Sequence, residues 1–358
     1  MRGVSLLALP LVLLSVAAVT RAQPRQPESP AIEIARTIAR TAERLVETKQ
    51  RGEVRAMRAD NLRAITRLRQ MGRPAIDALR SSIQLKNNYV TASSAAYALY
   101  LLEPTEVHTS VEALMMQMNK MMFTDDMLAQ KLILAIGAPA VPTLTHHLND
   151  SMVIQLLGAM GSNARSAVPA LKEVLGTKNV EVAATLAAIG TPDAINAAVP
   201  VLIDALKDPN NPNASSAVIA LGNLKTLGRA AIPQVRQTLR STNPDTRLYA
   251  AIALADMGDT QNAVSALSTL IQNKDLHGRY AAIQKLGSLG PKAKSAVPAL
   301  VTVISDSTDK RYGDRAMAAT ALTKIDPNSP ETKAVLRKAT GESMLKVHME
   351  KQGLRPQL

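Results

Sequence analysis

The sequence predicts an all-α protein, an α-solenoid of about eight or nine helix-turn-helix repeats. Three observations predict it. One phrase recurs: RSAVPALKEVL (Arg165–Leu175) returns as KSAVPALVTVI (Lys294–Ile304), with looser copies starting at Pro74, Pro139, Ala197 and Arg229. An apolar residue plus glycine precedes each copy, at Met71-Gly72, Ile136-Gly137, Met160-Gly161, Ile189-Gly190, Leu227-Gly228 and Leu289-Gly290. The prolines Pro142, Pro169, Pro200, Pro233 and Pro298 are separated by 27, 31, 33 and 65 residues, and Ser265 stands where the wide gap lacks one. A period of about 30 residues with two helices per unit cannot bury its apolar faces alone, so the units must stack.

The stretch Asn243–Leu270 shows the unit most clearly. Asn243-Pro244-Asp245 is a helix start: a capping side chain accepts from the free amides of the first turn, and proline fits there because its missing N–H had no partner. Leu248, Ala251, Ile252 and Ala255 recur at helical spacing as a buried stripe. Met257-Gly258 closes the helix through the left-handed conformation that glycine adopts without a Cβ clash. Ala263-Val264, Leu267 and Leu270 carry the second helix.

On TRLYAAIALADMG and SAVPAL, the chain resembles the HEAT-repeat family, in the short form shared with phycobilisome-lyase-type repeats. The resemblance covers Asn61 to Lys338. It implies an elongated helical array that binds other macromolecules, and it carries over no catalytic residue, because the repeated residues are packing residues.

Residues 1–22 read as a signal peptide. Arg2 supplies the positive start, Val4 to Val19 is a short apolar run broken by Pro10, and Thr20-Arg21-Ala22 predicts cleavage before Gln23. The chain is therefore expected to be periplasmic or secreted. Residues 23–30 form a proline-rich spacer. Residues 31–60 are expected as a basic helical cap, with Ala35, Ile38, Ala39, Ala42, Leu45 and Val46 on its apolar stripe. Residues 61–340 hold the solenoid, and 341–358 a polar, basic tail.

Within the solenoid, Val107 to Phe123 gathers methionines. Val111, Leu114, Met118 and Met121 read as a buried stripe, and Met115 and Met122 as an outward apolar patch. His146 and His147 diverge by about 100° on a helix and cannot share an ion. Gly190 to Ala198 reads as a long corner. Asp326-Pro327 stands where glycine is expected.

The formal net charge of +13 falls to +11 once Arg2 and Arg21 leave, and residues 23–86 hold 14 Lys/Arg against 7 Asp/Glu. That imbalance favours anionic partners. The absence of cysteine excludes disulfides and thiolate chemistry. No phosphate-binding glycine loop, H-E-x-x-H or G-x-S-x-G occurs, and the five histidines lack ligand spacing. The lyase part of the resemblance points toward a bilin-attaching enzyme. The export signal, and the lack of anything beyond the repeat, lead instead to the expectation of a non-enzyme with no cofactor and no metal.

The leading expectation is an exported scaffold that binds a protein partner on a concave face of second helices, through Lys172, Glu173, Gln234, Arg236, Gln237 and Thr302. The alternative is a binder of an anionic envelope polymer or membrane surface through Arg36, Arg40, Arg44, Arg55 and Arg58. Export speaks against nucleic acid, and no small-molecule substrate is evident.

Overall fold

The structure is a computed structural model that describes residues 29–47, 51–85, 88–120, 127–176, 179–341, 343–351 and 353. The expected signal peptide and most of the spacer lie outside the described residues.

The fold is an all-α solenoid. Its first-helix layer comprises α2 (Arg51–Met71), α4 (Tyr89–Leu102), α6 (Leu128–Ile136), α8 (Ser151–Met160), α10 (Val180–Ile189), α12 (Ala214–Asn223), α14 (Pro244–Met257), α16 (Arg279–Leu289) and α18 (Tyr312–Ile325). The second-helix layer comprises α3 (Arg73–Ile83), α5 (Val107–Lys120), α7 (Val141–Leu144), α9 (Val168–Val174), α11 (Pro192–Ala205), α13 (Ile232–Thr238), α15 (Thr260–Leu270), α17 (Val297–Ser305) and α19 (Pro330–Thr340). Successive first helices pack on one another, and each also packs on its own second helix or on the 3₁₀ segment that leads into it. The core between the layers is built from Ala, Leu, Val and Ile, small enough for close helix approach.

Most corners follow the expectation. Gly72, Gly137, Gly161, Gly190, Gly258 and Gly290 all take positive φ. One does not: in the fourth-from-last pair the positive φ falls on Lys225, at 52°, rather than on Gly228. Gly228 is small for packing, since a Cβ there would meet the Leu221 carbonyl oxygen at 2.5 Å. Single-turn-pitch 3₁₀ segments at 161–167, 225–231 and 290–296 then lead into the Val/Ile-Pro start of the second helix.

The unit after Gly190 departs from its reading as a long corner. Thr191 caps α11 by accepting from the Ala194 amide at 3.3 Å, with Pro192 in the first turn. The helix therefore begins eight residues before Pro200, which lies inside it.

The two ends are also more built than expected. Helix α1 (Pro30–Glu47) lies across the first-helix layer, packing on α2, α4 and α6 through Ala31, Ile32, Ala35, Ile38, Ala39 and Ala42. The side chains of Leu45 and Val46 lie outside the described residues. At the other end, α20 (Ser343–Lys351) packs on α18 and α19. Leu345 and Met349, four apart on one face, are buried there. The polar composition of residues 341–358 had hidden that stripe.

Candidate functional site

The second-helix face carries a ladder of ion pairs between successive repeats. Arg80 reaches Glu106 at 2.6 Å, Lys172 reaches Asp193 at 2.8 Å, Arg236 reaches Asp259 at 2.6 Å, and Lys294 reaches Asp326 at 3.1 Å. Each cation comes from one repeat and each carboxylate from the next: Glu106, Asp193 and Asp259 from the start of its second helix, and Asp326 from the end of its first. The Arg80 bond holds the Glu106 carboxyl below its ordinary value. Burial pushes Asp259 up, but the bonds from Arg236 and Asn262 outweigh it and hold the carboxyl low.

This places the expected partner-binding residues in two groups. Lys172 and Arg236 are rungs of the ladder, each already holding a carboxylate. Glu173 and Gln237, their exposed neighbours, are not rungs. Thr302 is exposed and donates to the Pro298 carbonyl at 3.0 Å. Gln234 is half-buried, with its Oε1 enclosed and without a hydrogen-bond donor. The face available to a partner is thus a row of exposed polar side chains on a frame of internal ion pairs. A groove of about 300 Å³ opens in the same region, lined by Leu239, Asn262, Ser265, Ala266 and Thr269.

The face opposite carries its own groove, of about 530 Å³, where Gly158, Ala184, Ala188 and Ser216 of α8, α10 and α12 come together. Its rim is polar: Glu181 accepts from Ser151 at 2.8 Å and from Gln155 at 3.0 Å.

Of the N-terminal arginines with described side chains, one is turned inward. Arg36 is half-buried, and its guanidinium donates to the Thr91 hydroxyl on α4. It faces α4 because α1 lies across the first-helix layer, which its four-residue spacing from Arg40 and Arg44 did not reveal. Arg40 and Arg44 are exposed. The side chains of Arg55 and Arg58 lie outside the described residues.

The histidines behave as divergent neighbours. His147 Nε2 sits 2.8 Å from Glu112 Oε1, whereas His146 turns toward His108, with ring centroids 6.5 Å apart. Among the described residues no group of three or more His, Cys, Asp or Glu side chains is placed to hold a metal. Met115 is buried and Met116 is 54% exposed, so the outward methionine differs from the one the stripe predicted. Met121 and Met122 lie outside the described residues.

Sequence reasoning missed the buried charges. Arg279, Arg315, Asp309 and Asp314 are all buried. Arg279 pairs with Asp309 and donates from Nε to the Ile271 carbonyl at 2.6 Å. Arg315 donates to the Ile304 carbonyl at 3.0 and 2.7 Å. A signal was present: Arg247, Arg279 and Arg315 each stand 11 residues before the end-of-helix residue Gly258, Gly290 or Asp326.

These features define a repeat protein whose exposed chemistry lies along an α-solenoid. Comparison with known families agrees: residues 199–279 and 232–316 match the family described as HEAT repeats.

Among individual proteins, the chain is 36% identical over 95 residues to the phycocyanobilin lyase subunit beta of Pseudanabaena tenuis (strain PCC 7409). The match takes in 26% of this chain and 33% of that one, so it spans about a third of the relative's length. The solved complex of CpcE and CpcF of phycocyanin lyase from Nostoc sp. PCC7120 aligns over 76% of this chain and 94% of that one, at 16% identity and a TM-score of 0.35. The relative corrects one expectation. A chain read as a non-enzyme, for want of any motif beyond its repeats, is similar to a subunit of a lyase. The correction has a physical reason: in a repeat array, residues that act on a ligand need not form a short local motif.

Proposed function

We propose that the chain is a subunit of a lyase-type assembly and that its solenoid holds a protein partner against the second-helix face. The observation that carries the reading is the 36% identity to a lyase subunit, in a chain whose second-helix face is already fixed by inter-repeat ion pairs. A pre-organised surface loses less freedom on binding and so favours a specific partner. Glu173 and Gln237 are the contact residues of choice, because neither is committed to a rung. Lys172 and Arg236 hold the frame, and Thr302 extends the row toward the C-terminus. The exported location read from residues 1–22 belongs to the same proposal. N-terminal sequencing of the protein from its own cell should then begin at Gln23, and a start at Met1 would remove export from the account.

Capture tests the face. The full chain and an E173K/Q237K variant are immobilised side by side, exposed to extract from the producing cell and washed at low and high salt. The proposal expects one protein to survive high salt on the native chain and to be lost from the variant. Equal retention by both would remove this face from the account.

A further inference from the structure

We infer that the open stretch of the first-helix face, over α8, α10 and α12, is a docking groove for an amphipathic helix of a partner protein. This face lies opposite the second-helix row, so the inference stands apart from the proposed function. The groove measures about 530 Å³, and its lining includes Gln155, Gly158, Glu181, Ala184, Ala188 and Ser216.

Counting back from the helix ends shows what sets this stretch apart. On α10, α12 and α14 the residues nine and six before Gly190, Lys225 and Gly258 reach the surface: Glu181 and Ala184, Ser216 and Ile219, Tyr249 and Ile252. On α4 the corresponding residues before Glu103, Ser94 and Tyr97, are buried, and α1 packs on that helix and on α6. A helix of this chain thus already lies on the same row of positions. On the C-terminal side the row is closed differently: Tyr249 stands out from α14, and Lys285 of α16 reaches Asp256 of α14 at 2.5 Å. Between these two ends the floor is Gly158, Ala184, Ala188 and Ser216, and side chains this small let a helix approach closely.

The seating of α1 specifies the occupant. It meets the face with Ala31, Ile32, Ala35, Ile38 and Ala39, a stripe of small and branched residues. From beside that stripe Arg36 donates to the Thr91 hydroxyl in the first turn of α4. The groove offers a stronger acceptor at a similar place. Glu181, in the first turn of α10, is the one charged residue lining the groove among the described residues, and its bonds come from the uncharged Ser151 and Gln155. A carboxylate takes a guanidinium through charge-assisted hydrogen bonds. The partner helix therefore carries a stripe of alanine and isoleucine with an arginine beside it, and exposed Ile219 extends its apolar contact on α12.

The test titrates the full chain into a fluorescein-labelled peptide with the sequence of α1, Pro30–Glu47, and reads anisotropy. A188K/S216K places two lysines in the groove at exposed positions. E173K/Q237K places two on the second-helix face and raises the net charge further. The groove predicts that A188K/S216K weakens peptide binding about tenfold or more, while E173K/Q237K stays within about twofold of the native chain. The two readings of the molecule therefore fail separately. E181Q should weaken the peptide about threefold and leave an R36E/R40E/R44E peptide no weaker than it is on the native chain. Equal binding by A188K/S216K would place the peptide elsewhere and overturn the groove, as would no binding by the native chain. Self-association of the full chain in sedimentation, lost in A188K/S216K, would give the groove to a second copy and overturn the assignment to a partner. A melting curve that matches the native one shows that the loss in A188K/S216K is not unfolding. If that variant melts early, E181Q decides, and undiminished binding there overturns the groove.

Discussion

Three junctions in the N-terminal part of the array are closed by one chemistry and the last two junctions between repeats by another. Before α4, α8 and α10, Asn88, Asp150 and Asn179 accept from the amides of Thr91, Met152 and Val182 at 3.1, 2.8 and 3.1 Å. Before α16 and α18 no side chain caps the helix. There Arg279 and Arg315 reach back from the first turn to the carbonyls of Ile271 and Ile304. The two devices serve opposite orphans. A capping side chain satisfies free amides at the start of the next helix, and the arginine satisfies free carbonyls at the end of the previous one. The difference teaches what each junction costs. An asparagine cap is neutral and needs nothing further, whereas a buried guanidinium needs a counter-charge, and Asp309 supplies it for Arg279. Asn243 and Arg247 combine both devices at α14: Asn243 accepts from Asp245 and Thr246, and Arg247 donates to the Ser241 and Thr242 carbonyls.

The largest expected effect breaks the charged junction. Asp309→Ala leaves the Arg279 guanidinium buried without its carboxylate and should cost about 3–5 kcal/mol, read from the denaturant midpoint of the full chain. A loss no greater than that of a surface substitution would show that the pair is dispensable. The same junction gives a pH dependence. Burial pushes Asp309 up, but the Arg279 and Arg311 bonds hold its folded value below the ordinary carboxylate range. Its stabilisation is therefore complete above the unfolded value and lost as pH falls through the lowered folded value. Burial raises Asp314, which works in the opposite sense. Asp309→Asn should accordingly flatten the acid limb of the stability profile, and an unchanged limb would assign it to other carboxylates.

The next effect tests whether the two regions share one core. On α14, Leu248 and Ala251 belong to the C-terminal apolar cluster and Leu254 to the N-terminal one. Leu254 is fully buried, so Leu254→Ala should cost about 2–5 kcal/mol and lower the stability of both regions together. A split into two separate transitions would show that α14 couples them poorly. The smallest effect is at a neutral cap. Asn179→Ala should cost about 0.5–2 kcal/mol with no dependence on pH near the carboxylate range. A loss equal to that of Asp309→Ala would erase the distinction between the junctions.

The repeat and its corners were legible because periodic apolar residues and positive-φ glycines leave a local mark. The first-helix stripe of α14 and six of the seven glycine corners follow directly from it. Lys225 did not show, because a lysine in the left-handed region looks like any surface lysine, and the nearby Gly228 drew the corner three residues downstream. The Arg279–Asp309 pair did not show because its partners lie 30 residues apart and meet only after stacking. Arg36 was misplaced for the same reason, since its partner Thr91 belongs to a different layer contact. On the second-helix face, phase alone picked exposed side chains such as Glu173 and Gln237. It could not separate them from the rungs Lys172 and Arg236, whose carboxylates come from the next repeat.

The lyase-type reading is tested most directly by the visible absorbance spectrum of phycocyanobilin titrated with the full chain, alone and with extract from its own cell. The account predicts a shifted and sharpened bilin band that requires the chain and, with extract, bilin carried covalently on a protein after denaturation. A spectrum identical to that of free bilin under both conditions would contradict it.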